Sequence, residues 1–345
     1  MSGLHCPADL AVAGLASPQA VAALERVTAR YAMAITPEIA ALIDPLDPRD
    51  PIRRQFVPDV AELETRPQER ADPIGDHAHS PVEGIVHRYP DRVLLKLLHA
   101  CPVYCRFCFR RETVGPGGAG MLSGAALEEA LAYIRSDPGI WEVILTGGDP
   151  LALSPRRLGE AMETLAGIPH VKVVRLHSRV PAVDPSRINA EVIAALKRFP
   201  RAVYVALHAN HPREMTPGAR AACARLIDSG VVMVSQSVLL AGVNDDAEVL
   251  ADLMRAFVET RIKPYYLHHP DLAPGTAHLR VSITRGRELV RALLGRVSGL
   301  CQPAYVLDIP GGFGKSPIGP TYLAETEQGW RVEDFQGGGH DYDDV

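Results

Sequence analysis

The chain has 345 residues, of which 47% are hydrophobic and 22% are charged, and its formal net charge is −5. This balance is typical of a globular protein with a sizeable core, and it excludes a wholly disordered chain, a coiled coil and a collagen-like fibre. The negative net charge gives no overall attraction to nucleic acid or anionic lipid. No apolar run reaches the roughly 20 residues needed to span a bilayer, and the start lacks the pattern of a secretory signal. We therefore expect a cytoplasmic protein that binds neither nucleic acid nor membranes.

The first 80 residues predict a helical and irregular extension. A helix-like segment follows Pro18, which would lie in its first turn, and residues 45–73 are rich in proline and charge, which indicates a strap without its own core. From Arg92 onward, apolar runs of strand length alternate with helix-like segments, a pattern typical of parallel βα units. The polar residues 336–345 are expected to be frayed. The predicted strands cover residues 92–99, 142–147, 171–177, 202–208, 231–240, 262–269 and 304–309.

Polar residues recur at or just after the carboxyl ends of these strands. In a barrel those ends form one rim, where active sites collect, whereas an open sheet has its site mainly at one switch point. The recurrence of polar residues at the carboxyl ends of the predicted strands therefore favours a barrel-like sheet over an open one. The residues are Cys101, the segment 147–150, His177, Arg179, His208, Gln236, Asp271 and Asp308.

Cys101, Cys105 and Cys108 form a C-x3-C-x2-C motif directly after the first predicted barrel strand. Three thiolates on one short loop can bind three irons of a cubane cluster and leave the fourth iron open. Structural zinc usually has four protein ligands, and no nearby cysteine pair completes such a set, although His99 is available as a fourth ligand. The remaining cysteines are scattered and are expected to be inert apolar residues, namely Cys6, Cys223 and Cys301.

The cysteine spacing strongly resembles that of the radical S-adenosylmethionine superfamily, and seven segments resemble, in the same order, the lysine 2,3-aminomutase family within it. The resemblance implies an α/β fold, namely an incomplete TIM-like (β/α)6 barrel at residues 81–309 with an N-terminal helical extension at residues 1–80. It also implies that residues 310–345 form a lysine-bearing loop and a C-terminal tail. The segments are 87–92, 105–111, 147–151, 175–181, 236–245, 263–275 and 310–317.

The resemblance implies three cofactors, which are a 4Fe–4S cluster on the three cysteines, S-adenosylmethionine on the open iron, and pyridoxal 5′-phosphate on Lys315. A glycine-rich loop leaves room for a ring beside a lysine that forms a Schiff base. The loop departs from the family's all-glycine run at Phe313, and it lacks the spacing of a Walker phosphate loop. The resemblance further implies that Arg88 and Arg92 bind the cofactor phosphate and that S-adenosylmethionine is contacted by Gly147, Gly148, Asp149, His208 and Gln236.

Several of these residues also have a purely structural interpretation. Gly147 and Gly148 can form only a tight turn between a strand and a helix. His208 and Gln236 can be core polar residues at strand ends. The sequence leaves both interpretations open.

The resemblance assigns the substrate carboxylate to Arg110 and the distal ammonium of L-lysine to Asp271 and Asp308. The neighbouring Arg106 and Arg111 are expected to be structural or solvated. Aspartates after strands also cap helices, so ordinary loop carboxylates are the alternative. Two carboxylates suit an ammonium, whereas a glutamate side chain would meet like charges at a cost of several kcal/mol. We therefore predict an isomerase that moves the 2-amino group of L-lysine to C3.

Other functions remain open at this point. They are a 2,3-aminomutase for glutamate, an enzyme that supplies β-lysine for modification of elongation factor P, and a metal-stabilised binding protein. The family resemblance also implies a reducing partner such as flavodoxin or ferredoxin, and it is compatible with a homo-oligomer.

Overall fold

The computed structural model describes residues 3–115, 120–327 and 329–343. Its N-terminal part contains α1 (Pro7–Val12), α2 (Val21–Thr28), α3 (Pro37–Ala40) and α4 (Pro51–Phe56). The Asp50 carboxylate begins α4 by accepting hydrogen bonds from the backbone N–H groups of Ile52 and Arg53, which are otherwise unpaired at a helix start. Ile52 and Phe56 are fully buried in the same hydrophobic core as the sheet. The predicted strap therefore contains a helix and packs on the core of the rest of the chain.

Nine strands form one sheet, and they are β1 (Ile85–Tyr89), β2 (Arg92–Leu98), β3 (Glu142–Gly147), β4 (Val173–Ser178), β5 (Ala202–His208), β6 (Val232–Val238), β7 (Lys263–His268), β8 (Ala304–Asp308) and β9 (Lys315–Pro317). Each strand lies beside its neighbour in sequence. Strands β2 to β8 are parallel, and β1 and β9 are antiparallel at the two edges. The seven predicted strands are confirmed to within two residues, whereas β1 and β9 were not predicted.

Helices follow each parallel strand from β2 to β7, and this arrangement confirms the expected βα units. Their inward faces are apolar, as in α10, where Leu250, Leu253 and Phe257 are fully buried. The helices are α5 (Gly124–Ser136), α6 (Pro155–Ala166), α7 (Val180–Val183), α8 (Ala190–Leu196), α9 (Pro217–Asp228), α10 (Ala247–Glu259) and α11 (Ile283–Arg291).

The sheet is curled into an incomplete barrel. One cavity is lined both by Arg88 of β1 and by Lys315 of β9, which lie on opposite edge strands. Within the described residues, no pairing between those edge strands closes the barrel. Because consecutive parallel strands point the same way, their carboxyl ends all meet at this cavity. The expected α/β half-barrel is thus confirmed.

The C-terminal segment differs from its prediction as a frayed tail. A second, antiparallel sheet contains β10 (Leu323–Thr326), β11 (Gly329–Glu333) and β12 (Gly339–Tyr342). The turn before β12 is fixed by Asp334, whose carboxylate accepts hydrogen bonds from the N–H groups of Gln336 and Gly338 and contacts His340. Residues 344–345, also predicted to be frayed, lie outside the described residues. No helix in the described part of the chain is long and apolar enough to span a membrane.

Candidate cluster and substrate site

The cavity at the carboxyl ends of the strands brings together all of the site residues predicted from the sequence. Its walls come from both edge strands, from each parallel strand and from the loop after β2. The predicted residues in its lining are Arg88, Arg92, Cys101, Cys105, Cys108, Arg110, Gly147, Gly148, Asp149, His208, Gln236, Asp271, Asp308 and Lys315.

Cys101, Cys105 and Cys108 are unpaired thiols on the loop between β2 and α5. Burial raises the pKa of all three thiols, to about 11 for Cys105. The negative charge of Asp149, followed by those of the other two cysteines, raises the pKa of Cys101 further. Ligation of a cluster would require loss of the thiol protons, and the bound metal would then neutralise the buried thiolates. Among the described residues, no three His, Cys, Asp or Glu side chains surround a single metal position.

The cysteine loop is anchored to the N-terminal extension by buried charges. The Arg106 guanidinium donates to Glu62 at 2.6 and 2.9 Å, and Arg111 also pairs with this carboxylate. Burial alone would raise the pKa of Glu62, but Arg106 and Arg111 hold it below its usual value. The backbone N–H of Arg106 donates to the Gln55 carbonyl at 2.8 Å. Arg106 and Arg111 are therefore structural, as expected, and both are buried rather than solvated.

Gly147 and Gly148 allow β3 to approach the start of the cysteine loop. Gly147 has a φ of +101°, and a Cβ atom there would lie 2.6 Å from the Leu98 carbonyl oxygen. A Cβ atom on Gly148 would collide with the backbone of Ala100, the residue before Cys101. The close approach that these glycines permit is thus to the chain's own backbone. Contact of the same turn with S-adenosylmethionine remains a prediction.

The Asp149 carboxylate is already occupied by protein groups. It accepts hydrogen bonds from the Ser178 hydroxyl and the Arg179 N–H at 2.7 Å, and from the N–H groups of Leu151 and Val180 at 3.0 and 3.3 Å. Four donors use most of the capacity of a carboxylate. Asp149 therefore fixes the carboxyl end of β4 relative to β3. Its predicted role at S-adenosylmethionine would then be indirect, since it holds the surrounding backbone in place.

His208 and Gln236 lie opposite each other on β5 and β6. Burial lowers the pKa of His208 to about 3, so its imidazole is neutral. The Nε2 atoms of His208 and of the adjacent His177 are buried without a hydrogen-bond partner among the described residues. Unpaired buried polar atoms cost free energy, and both histidines line the cavity, which fits a site whose ligand supplies hydrogen-bond partners.

Arg88 and Arg110 share one carboxylate, Asp76, which was not predicted from the sequence. The Asp76 oxygens lie 3.1 Å from an Arg88 nitrogen and 2.9 Å from an Arg110 nitrogen. Burial would raise the pKa of Asp76, but Arg110, Lys96 and Arg88 hold it below its usual value. The Nε atoms of both arginines are buried without partners among the described residues. Two guanidiniums with unused N–H groups and one shared carboxylate fit the binding of further anions.

Arg92 differs from Arg88 in its surroundings. Its guanidinium pairs with Asp91 at 2.7 Å and lies over the Tyr89 ring at 3.9 Å. Its side chain is 32% exposed, against 9% for Arg88. Arg92 lines the cavity, but it pairs with Asp91 and does not share Asp76 with Arg88 and Arg110.

Lys315 begins β9 and contacts Asp308, the last residue of β8. Lys315 Nζ donates to Asp308 Oδ1 at 2.7 Å, and His268 Nδ1 lies 3.4 Å from Asp308 Oδ2. Burial would raise the pKa of Asp308, but His268 and Lys315 hold it well below its usual value. The Lys315 backbone N–H donates to the Tyr89 hydroxyl at 2.7 Å, which fixes the start of β9.

The glycine-rich loop before Lys315 packs against the N-terminal extension. Gly312 has a φ of +91°, and its carbonyl lies 2.9 Å from His79 Nε2. A Cβ atom on Gly75 would collide with Gly312. Phe313 is 79% exposed, so its departure from an all-glycine run does not disturb this packing.

Asp271 lines the same cavity after β7. Burial, together with the nearby charge of Asp308, raises the pKa of Asp271 to about 8. Its carboxyl group has no hydrogen bond or ion pair within the part of the chain that the structure describes. A ligand cation would satisfy both carboxylates and favour ionisation of Asp271.

Comparison with known proteins places this site in a family. Residues 95–254 match the model of the radical SAM superfamily. The chain is 40% identical over 307 residues to an L-lysine 2,3-aminomutase of Acetoanaerobium sticklandii, which covers 89% of this chain and 74% of that protein. It is 43% identical over 291 residues to an L-lysine 2,3-aminomutase of Clostridium subterminale, which covers 84% of this chain and 70% of that protein. A glutamate 2,3-aminomutase of Clostridioides difficile is 38% identical over 87% of this chain and 70% of its own length.

The superfamily match implies a 4Fe–4S cluster and S-adenosylmethionine, in agreement with the cysteine-lined cavity. The identity extends over most of the chain and over more than two thirds of the relatives. The chain therefore belongs to the lysine 2,3-aminomutase family of the radical S-adenosylmethionine superfamily, whose members are isomerases.

Proposed function

We propose that this protein catalyses the migration of the 2-amino group of L-lysine to C3, which gives β-lysine. The observation that carries the proposal is the charge pattern of the cavity. Arg110 supplies a buried cation with an unused N–H group, while Asp271 and Asp308 supply two carboxyl groups, of which only Asp308 has a partner in the described structure. L-Lysine carries a carboxylate at one end and an ammonium at the other, so both ends find groups of opposite charge.

The cofactors of this proposal are the cluster, S-adenosylmethionine and pyridoxal 5′-phosphate. Cys101, Cys105 and Cys108 would hold the cluster. Arg88 would bind the phosphate of the pyridine cofactor, and Lys315 would bond to its aldehyde carbon. When bound, these groups supply a radical that removes a hydrogen atom from the substrate and a conjugated ring that delocalises the unpaired electron. The fit is supported by the three unpaired cysteines that line one cavity and by the unpaired arginine Nε atoms. A low-potential reductant such as flavodoxin or ferredoxin would supply the electron.

The chain's own residues orient the substrate and exclude water. Arg110 would bind the carboxylate and remain fixed by Asp76 at 2.9 Å. Asp308 would accept a hydrogen bond either from Lys315 Nζ, as in this structure, or from the substrate ammonium. The apolar side chains of the lining, among them Ile74 and Val86, are largely buried and limit the access of water to a radical.

Glutamate is the second candidate substrate, because a glutamate 2,3-aminomutase is among the relatives. The same charge pattern argues against it. The glutamate side chain would place a third carboxylate beside Asp271 and Asp308, at a cost of several kcal/mol in a desolvated cavity.

The test is an assay of the anaerobically purified protein after reconstitution with iron, sulfide, S-adenosylmethionine and pyridoxal 5′-phosphate. We expect conversion of L-lysine to β-lysine, detected by chromatography of derivatised amino acids, and no conversion of L-glutamate. Cys105→Ala should lose the iron–sulfur absorption and turnover, whereas Cys6→Ala, which alters an exposed thiol outside the cavity lining, should retain both. Turnover of glutamate in preference to lysine would overturn the proposal.

A further inference from the structure

Arg179, directly after β4, contacts one of the cluster cysteines. Its guanidinium donates to Cys105 Sγ at 3.4 Å and to Gln55 Oε1 at 3.3 Å, and it pairs with Glu214. The Arg179 side chain is 9% exposed and Glu214 is fully buried. The cation thus lies between a cluster ligand on one side and a carboxylate on the other.

This arrangement is rigidly held by its neighbours. The Glu214 carboxylate also accepts hydrogen bonds from the Gln55 amide at 3.1 Å and from the N–H groups of Asn210 and His211 at 2.8 and 3.0 Å. Two aromatic rings flank the Arg179 guanidinium, with centroids 5.0 and 5.5 Å from its central carbon, and they belong to Phe56 and Phe107. A buried charge with this many fixed contacts has little freedom to move away from the sulfur.

We propose that the Arg179–Glu214 pair sets the reduction potential of the cluster that Cys105 helps to bind. Reduction adds one electron from an external low-potential reductant to the cluster and requires no bond or proton change at Arg179. The added negative charge is stabilised by a nearby cation and by an N–H donor to a ligand sulfur, both of which raise the potential. Glu214 opposes this effect, but it makes no hydrogen bond to the sulfur and acts through the arginine between them.

The inference therefore predicts shifts of opposite sign for the two partners. Arg179→Gln leaves the Glu214 carboxylate without its cation and should shift the midpoint potential to more negative values. Glu214→Gln is nearly isosteric, leaves the Arg179 charge uncompensated and should shift the potential to more positive values. In the double variant both charges are absent, and its potential should lie between those of the two single variants. Arg179→Lys keeps the charge and should lie closer to the wild type than Arg179→Gln.

The measurement is an anaerobic titration of the reconstituted full-length protein with redox mediators, in which the reduced cluster is quantified by electron paramagnetic resonance. Arg280→Gln is the matched control, because Arg280 pairs with Glu69 and contacts none of the cluster cysteines, and its potential should equal that of the wild type. Equal potentials in Arg179→Gln, Glu214→Gln and the wild type would overturn the inference, as would shifts of the same sign. If Arg179→Gln fails to assemble the cluster, Glu214→Gln alone tests the inference. A more positive potential in that variant supports the inference, and an unchanged or more negative potential overturns it.

The titration contains no amino acid substrate, so its outcome is independent of the proposed activity. A purely structural role for Arg179 would lower the iron content but would not produce opposite shifts in the two single variants. Loss of lysine turnover with an unchanged potential would likewise contradict the inference and leave the proposed function intact.

Discussion

Lys315 Nζ lies 2.7 Å from Asp308 Oδ1, so the protein's own lysine occupies the carboxylate that we assign to the far ammonium of the substrate. The two cations therefore compete for one partner. Under the proposed function, a bond between Lys315 and the cofactor would replace this ammonium and leave Asp308 free for the substrate. The proposal therefore links attachment of the cofactor to the binding of lysine.

Asp308→Asn should lower kcat/KM for L-lysine by at least about tenfold, which corresponds to roughly 1.4 kcal/mol. The amide retains the shape of the side chain but cannot form an ion pair with an ammonium. Initial rates of the reconstituted enzyme check this expectation. Asp252→Asn is the control, since Asp252 is exposed on α10, pairs with Arg255 and does not line the cavity. An unchanged kcat/KM in Asp308→Asn would remove this residue from the substrate site.

Lys315→Ala should abolish the visible absorption band of lysine-bound pyridoxal 5′-phosphate while the iron content stays at the wild-type level. The two effects separate because the cluster ligands lie on the loop after β2, whereas Lys315 begins β9. Borohydride reduction followed by mass spectrometry of peptides identifies the modified lysine. A reducible linkage that persists in Lys315→Ala would place the Schiff base at another lysine.

The affinity for L-lysine should rise with pH up to about 8. Burial and Asp308 raise the pKa of Asp271 to about 8, so below that pH the carboxyl group must lose a proton before it can pair with an ammonium. The KM for lysine should then increase as the pH falls, by up to tenfold per unit. Asp271→Asn cannot titrate and should flatten the profile between about pH 6.5 and pH 9. A wild-type KM that is constant over this range would contradict the assignment.

Asp76→Asn should weaken the binding of two ligands, namely pyridoxal 5′-phosphate through its phosphate and L-lysine through its carboxylate. Asp76 aligns Arg88 and Arg110, so the variant should have an affinity for pyridoxal 5′-phosphate that is about fivefold lower or more. Its KM for lysine should be higher by a similar factor, as expected when a buried charge pair is weakened. Pyridoxal, which has no phosphate, is the internal control and should bind the variant and the wild type alike. Absorbance titrations measure the cofactor affinity, and initial rates measure the KM for lysine. An effect on only one of them would mean that the shared carboxylate does not align both arginines.

Gly148→Ala should destabilise the protein by about 2 kcal/mol or more and reduce its iron content. The new methyl group would collide with Ala100 and displace the backbone that leads into Cys101. Gly124→Ala is the matched control, since nothing lies within 4 Å of a Cβ atom at this first position of α5. Chemical denaturation and iron analysis provide the readouts. Equal stability and iron content in both variants would show that the close approach is dispensable.

The sequence predicts the parallel strands and the rim of the barrel well, because alternating apolar and helical segments have few other packing solutions. The position of polar residues at strand ends also predicts which side chains converge. The edge strands β1 and β9 are not predictable in this way, because they are short and mixed in polarity. The C-terminal hairpin depends on the hydrogen bonds of Asp334 within its turn, which composition does not reveal.

Pairings between buried charges were the main part of the site that sequence reasoning missed. Asp76 is 34 residues from Arg110, and Glu214 is 35 residues from Arg179. Neither carboxylate belongs to a motif with fixed spacing. Their only signal is indirect, since a buried arginine requires a counter-charge, and the sequence does not identify which arginines are buried.

The charge pairing between the N-terminal extension and the barrel bears on where this chain can be divided. Glu62 and Asp76, both before residue 81, neutralise four buried or largely buried arginines that follow it, namely Arg88, Arg106, Arg110 and Arg111. A fragment that begins at residue 81 would contain the cysteines and the lysine loop, yet these four guanidiniums would have lost their carboxylates inside a desolvated core. Such a shortened protein should expand or aggregate rather than retain a smaller active barrel. Efforts to minimise the enzyme should therefore preserve the extension at least from Glu62, so that both carboxylates are retained.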